Sequence, residues 1–169
     1  MQYASATGTG TFASNAVTPI NATLAPGQYL LVQMAAGTGS APALPTPDAI
    51  GTVNMSASGG KVALVSTITG LACNGGSFPC SPTQEASIVD LVGWGGANYF
   101  EGLPAPATTN TTALLRHGGG CADTNDNGAD FPQKCLKMLS ATSANEQVQV
   151  RAHAGEIIDP NAEALGHRS

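Results

Sequence analysis

The densest array of oxygen donors in the chain is the segment Asp123-Thr124-Asn125-Asp126-Asn127-Gly128-Ala129-Asp130. It matches the opening D-x-[DN]-x-[DN]-G of a calcium-binding loop. Calcium is a hard cation that takes roughly six to eight oxygens, and closely spaced Asp and Asn side chains with intervening carbonyls supply them. An EF-hand would place a bidentate glutamate where this chain has Lys134, and no helical pattern flanks the segment. Two readings remain. A shorter loop binds calcium through Asp123, Asn125, Asn127 and Asp130, or the segment is a polar turn whose side chains bond their own backbone. No cofactor is required on either reading, and calcium is the one candidate.

Other groups with chemical potential are more isolated. Asp90 and Glu101 lie eleven residues apart. They would suit glycoside hydrolysis only if folding brought the two carboxyls together. Otherwise Asp90 bonds backbone within its apolar segment, and Glu101 sits in a solvated loop. His117-Gly118-Gly119-Gly120 resembles an esterase oxyanion loop, but no G-x-S-x-G nucleophile elbow accompanies it. A glycine turn is the simpler account. The histidines at 117, 153 and 167 lack metal spacing, and no phosphate loop G-x-x-x-x-G-K-[ST] occurs. Trp94, Tyr99, Phe100 and Glu101 form one aromatic cluster with a carboxylate, which serves either as an interaction loop or as core. No catalytic residues are expected.

The cysteines stand at 73, 80, 121 and 135. Six residues separate Cys73 from Cys80, too many for a short zinc knuckle. Gly75, Gly76 and Pro79 allow the loop to close as a disulfide, which suits an oxidising compartment. Free buried thiols are the alternative. Cys121 and Cys135 form a candidate second bridge.

Elements that could hold these groups read as strands. Gln28–Met34 follows a Pro-Gly turn, Gly51–Ser56 alternates, and Lys61–Ile68 follows Ser58-Gly59-Gly60 as a hairpin arm. Ser87–Trp94 is apolar apart from Asp90, and Thr111–Arg116 is a further strand candidate. Short strands separated by Gly, Pro and Asn turns predict an all-β sandwich or barrel. Charged residues make up only 10% of the 169 residues, too few for exposed helix faces. The net charge of -5 removes the main source of nucleic-acid affinity. No apolar stretch approaches the ~18 residues of a membrane span. Met1–Ser5 shows neither the basic start nor the apolar run of a signal peptide, so none is expected.

Charge density rises after Phe131. Nine charged side chains fall in residues 1–131 and eight in 132–169. The chain therefore divides into a body, 1–131, and a more charged tail, 132–169, expected to be partly disordered. Within the tail, Val148–Arg151 alternates like a strand and Pro160–Leu165 could start a helix.

The body resembles a bacterial lamin-tail domain. The resemblance is carried in order and spacing by QYASATGTGTF, by APGQYLLVQM through GGKVALV, and by ACNGGSFPC, IVDLVGWGGANYFEG and NTTALLRHGGGCADTNDNGADF. It implies an immunoglobulin-like β-sandwich lacking the first one or two strands of its relatives, with an edge open to self-association. It also implies extracellular or cell-surface placement for full-length relatives. The expected role is a non-catalytic binding or scaffolding module with a protein or cell-surface partner. Alternatives are an accessory fragment of a secreted nuclease or phosphoesterase polypeptide, and a calcium-dependent adhesion module. The expected contact surfaces are the aromatic loop Gly93–Gly102 and the acidic loop Asp123–Asp130.

Overall fold

The computed structural model describes residues 1–25, 28–35, 45–109 and 112–135, with backbone only at 133–135. Its strands are β1 (Gln2–Ser5), β2 (Val32–Gln33), β3 (Ala49–Ile50), β4 (Gly60–Val65), β5 (Ile88–Trp94), β6 (Thr112–Leu114) and β7 (Gln133–Cys135). Single helical turns occur at α1 (Pro82–Glu85), α2 (His117–Gly120) and α3 (Asn127–Asp130). The result is a small β domain with few short helices and no closed barrel among the described residues.

The central sheet has the order β1-β4-β5, antiparallel throughout. β4 is its middle strand because GKVALV is rich in Val and small residues, which pack well on a pleated surface. The expected hairpin between Gly51–Ser56 and β4 does not form, since β4 pairs with β1 and β5 instead. Gly51–Ser56 instead runs on from β3 beside β2: Gly51 N–H donates to the Gln33 carbonyl and the Val53 carbonyl accepts from Ala35 N–H, and its burial alternates as its sequence does, with Gly51, Val53 and Met55 facing inward. β2 and β3 form a parallel pair, and β6 and β7 an antiparallel one. β7 draws residues 133–135, assigned by sequence to the tail, onto β6. The tail segments beyond Cys135 lie outside the described residues.

Alternation places the two faces of the central sheet against different cores. One face packs Tyr3, Val62 and Trp94 with Val32, Met34, Met55 and Phe131. The other packs Ala4, Ala63 and Leu91 with Phe12, Leu71 and Cys73. Cys73 and Cys80 are joined in a disulfide, with Cα atoms 5.0 Å apart. The side chain of Cys135 lies outside the described residues, so the expected pairing with Cys121 does too.

The loop closed by that disulfide is organised by Asn74, which is fully buried. Its Nδ2 donates to the carbonyls of Gly8 and Gly10 and to Ser77 Oγ, and its Oδ1 accepts from the N–H groups of Gly76 and Phe78. One side chain thereby satisfies the backbone of two loops that have no strand partner, which their burial requires. The Asn74 carbonyl also accepts from Lys61 Nζ at 2.9 Å, and Asn98 Oδ1 accepts from the same ammonium at 2.7 Å. Lys61 is 0% exposed on the middle strand, and burial pushes its pKa below the ordinary lysine value.

The outer edge of β1 is largely covered. Met1 exchanges hydrogen bonds with Thr18, and Asn15 Nδ2 donates to the Tyr3 carbonyl. No helix among the described residues is long and apolar enough to cross a membrane.

Candidate functional site

The chain after β5 turns back on itself. Ala105 N–H donates to the Gly93 carbonyl and Gly95 N–H to the Ala105 carbonyl, a parallel bridge that sets Glu101 beside β5. Gly102 and Gly95 take left-handed φ of 59° and 62° in this return. A Cβ on Gly95 would lie 2.1 Å from the Ser58 carbonyl oxygen, so only glycine fits. The loop containing α3 docks on the returning chain. Asn127 N–H donates to the Glu101 carbonyl, and Gly128 N–H to the Leu103 carbonyl. The Asp126 side chain caps α3 through Ala129 N–H and also accepts from Leu103 N–H. The two loops singled out from sequence, 93–102 and 123–130, therefore meet in space.

At their meeting point, carboxylate oxygens of Asp90, Glu101 and Asp123 all lie within 4.8 Å of one another. Folding thus brings together the Asp90 and Glu101 carboxyls that sequence left eleven residues apart. Sequence reasoning missed their counter-charge, Arg116. Its Nη2 donates to both oxygens of Asp90 at 3.1 and 3.2 Å, and its Nη1 lies 3.2 Å from Asp123 Oδ2. The guanidinium also stands over the Phe131 ring, 4.9 Å from its centroid. A lone arginine closing the apolar run Thr112–Leu115 was the available signal, because a cation in such a setting needs buried partners.

Three ionised carboxylates against one guanidinium leave an excess of negative charge. Burial first, and then the charges of Asp90 and Asp123, push Glu101 up from 4.5 to about 7. Arg116 and the nearby Leu91 backbone pull the other way without prevailing.

The four residues assigned to calcium are differently placed. Asp123 is exposed and bonded to Arg116. Asn125 is exposed with a left-handed φ of 54°, and its N–H reaches Asp123 Oδ1 at 3.5 Å. Asn127 is 0% exposed: Oδ1 accepts from Gly93 N–H and Glu101 N–H, while Nδ2 donates to the Leu91 carbonyl and to Glu101 Oε2. Asp130 is buried and accepts from Thr124 N–H at 3.0 Å and Thr124 Oγ1 at 2.7 Å. The oxygens of Asn127 and Asp130 thus have protein donors.

Of the aromatic cluster, Trp94 is buried against Tyr3, with ring centroids 6.3 Å apart. Tyr99 lies on the backbone of Gly75, where a Cβ would stand 1.9 Å from its ring. Phe100 is half-buried beside Gly93, and Leu103 is the exposed apolar side chain at this end. His117–Gly120 is a tight turn, with Gly118 and Gly119 left-handed at φ 61° and 62°.

Comparison of the chain with protein-family models, with curated proteins and with solved structures gives no match to any of them.

Proposed function

We propose that this chain is a non-catalytic binding or scaffolding module of an exported or cell-surface bacterial protein. On this reading the fold is an immunoglobulin-like β-sandwich of the lamin-tail type. The observation that supports the reading is how the chemistry-bearing residues are used. Asn127, Asp126 and Asp130 each bond the chain's own backbone, Glu101 accepts from the Asn127 amide, and Arg116 joins two carboxylates. What the meeting point of the loops leaves to a protein partner is Leu103, Asp123, Thr124 and Asn125, an apolar residue beside polar ones on a stiff support. The disulfide fits placement in an oxidising compartment.

The test is saturable binding of the labelled chain to the cell-envelope fraction of the organism that encodes it. Leu103→Asp should abolish binding, and Ile50→Asp, also exposed but outside both loops, should not. Absence of saturable binding, or hydrolysis of a phosphodiester substrate above buffer, would overturn the proposal.

One observation favours a second reading, the calcium-dependent adhesion module: the convergence of Asp90, Glu101 and Asp123. It requires calcium to displace or supplement Arg116, so binding to the envelope fraction would then need the ion.

A further inference from the structure

β5 is an outer strand of the central sheet, yet its outward-facing backbone is closed from Leu91 to Gly95. The Leu91 carbonyl accepts from Asn127 Nδ2 at 2.9 Å, and the same Nδ2 donates to Glu101 Oε2 at 3.2 Å. Gly93 N–H donates to Asn127 Oδ1 at 2.8 Å, and the Gly93 carbonyl accepts from Ala105 N–H at 2.8 Å. Gly95 N–H completes the series on the Ala105 carbonyl. A neighbouring strand would supply this same alternation of acceptors and donors. Ala105 supplies its share with backbone. Asn127 supplies its share with a side chain, the carboxamide standing in for a peptide group.

Apart from the bulge at Val89, the usual deterrents to edge pairing are scarce here. β5 carries a single charged residue, Asp90, which is already tied to Arg116. Gly93 has no side chain to stand off a neighbour. Val89, the extra residue of the bulge opposite Leu64 and Val65, is 65% exposed and apolar. An uncovered β5 would be self-complementary, because an antiparallel pair of identical strands about a twofold axis matches each outward N–H with a carbonyl of the other copy.

We propose that the Asn127 carboxamide, with Glu101 beside it, is an edge cap that prevents β5 from pairing with the β5 of a second copy. The cap is held ready by its surroundings. Asp126 caps α3, and the N–H groups of Asn127 and Gly128 fix the turn to Glu101 and Leu103.

The test compares the wild-type chain with Asn127→Leu, which keeps the branched shape of the side chain and removes both hydrogen-bonding groups. Sedimentation velocity would be run across a roughly hundredfold concentration range, so that mass action reveals association. The wild type is expected to remain monomeric and Asn127→Leu to shift to a dimer with rising concentration. Adding Val89→Lys should reverse the shift, by placing a charge on each side of the pair. A folded Asn127→Leu chain that stays monomeric overturns the proposal. So does a dimer indifferent to Val89→Lys, or a wild type that already pairs through β5. Should near-UV circular dichroism show Asn127→Leu unfolded, amide hydrogen exchange of the wild type decides. Gly93 should then be as protected as Val62 in β4, and exchange at loop rates would overturn the cap.

Discussion

Raising the pH should weaken this domain through one residue, Glu101. Its carboxyl titrates near 7 in the folded chain and at about the ordinary 4.5 once unfolded. Between those values the folded state holds a proton that the unfolded state has released, so stability falls as pH rises. The contribution is fully present below about 4.5, declines through about 7 and is flat above it. The shift would correspond to about 3 kcal/mol if the group were wholly shielded. Glu101 is only half-buried, and solvent screening reduces this to about 1–2 kcal/mol. For a domain of this size that is about 3–6 °C in Tm between pH 5 and pH 8. Glu101→Gln keeps an oxygen that can accept from Asn127 Nδ2 and cannot ionise. Thermal and urea melts of both chains at pH 5, 6, 7 and 8 isolate the residue, because the two chains differ in that one ionisable group. The wild type should lose stability relative to the variant across this window. Parallel pH profiles for the two chains, or a wild type that gains on the variant as pH rises, would refute the reasoning.

Three further outcomes follow from the packing. Replacing Cys73 and Cys80 together by serine releases a short loop from the unfolded chain's constraints, and should cost about 2–3 kcal/mol in a urea melt run without reductant. Asn74→Ala removes all the side-chain bonds that organise the two loops and leaves their buried backbone unpaired, so a loss of about 3 kcal/mol or more is expected from the same assay. Gly60→Ala sets a methyl 2.6 Å from the Trp94 ring and 2.7 Å from that of Tyr3. Overpacking should lower stability by about 1–3 kcal/mol and change the near-UV signal of Trp94.

Local pattern carried much of the β architecture. The runs around Lys61–Val65 and Ile88–Trp94 are apolar and rich in Val and Ile, and they became the middle strand and one edge of the sheet. The Cys73–Cys80 loop was readable because its glycines permit closure, and Gly75 adopts a left-handed φ of 72°. The alternation of Gly51–Ser56 predicted its burial but not its partner, which is the chain around β2 rather than β4. β1 was missed because Gln-Tyr-Ala-Ser has no apolar alternation. Gln2 is nevertheless buried, its amide bonding the Thr69 carbonyl and the Leu71 N–H. Lys61 reads as a surface residue in any one-dimensional pattern, and only the carbonyls of Asn74 and Asn98 make its burial tolerable.

The candidate site was legible by residue and not by arrangement. Asp90 and Glu101 stood out as carboxylates in an uncharged stretch, but their meeting depends on the bridge between Trp94 and Ala105. Arg116 reaches Asp90 across 26 residues through the packing of Phe131 and the α3 loop, which no local spacing encodes. Asn127 belonged to a segment whose composition suited either calcium or a turn. Its burial against β5 gives its amide to the backbone.

That use of Asn127 and Asp130 to hold the chain's own backbone is the centre of the account, and a calorimetric titration of the folded chain with calcium tests it most directly. The account predicts no saturable heat and an unchanged Tm in excess ion. A saturable heat that disappears in Asp123→Ala, with a Tm that rises in calcium, would contradict it and give the acidic loop to the metal.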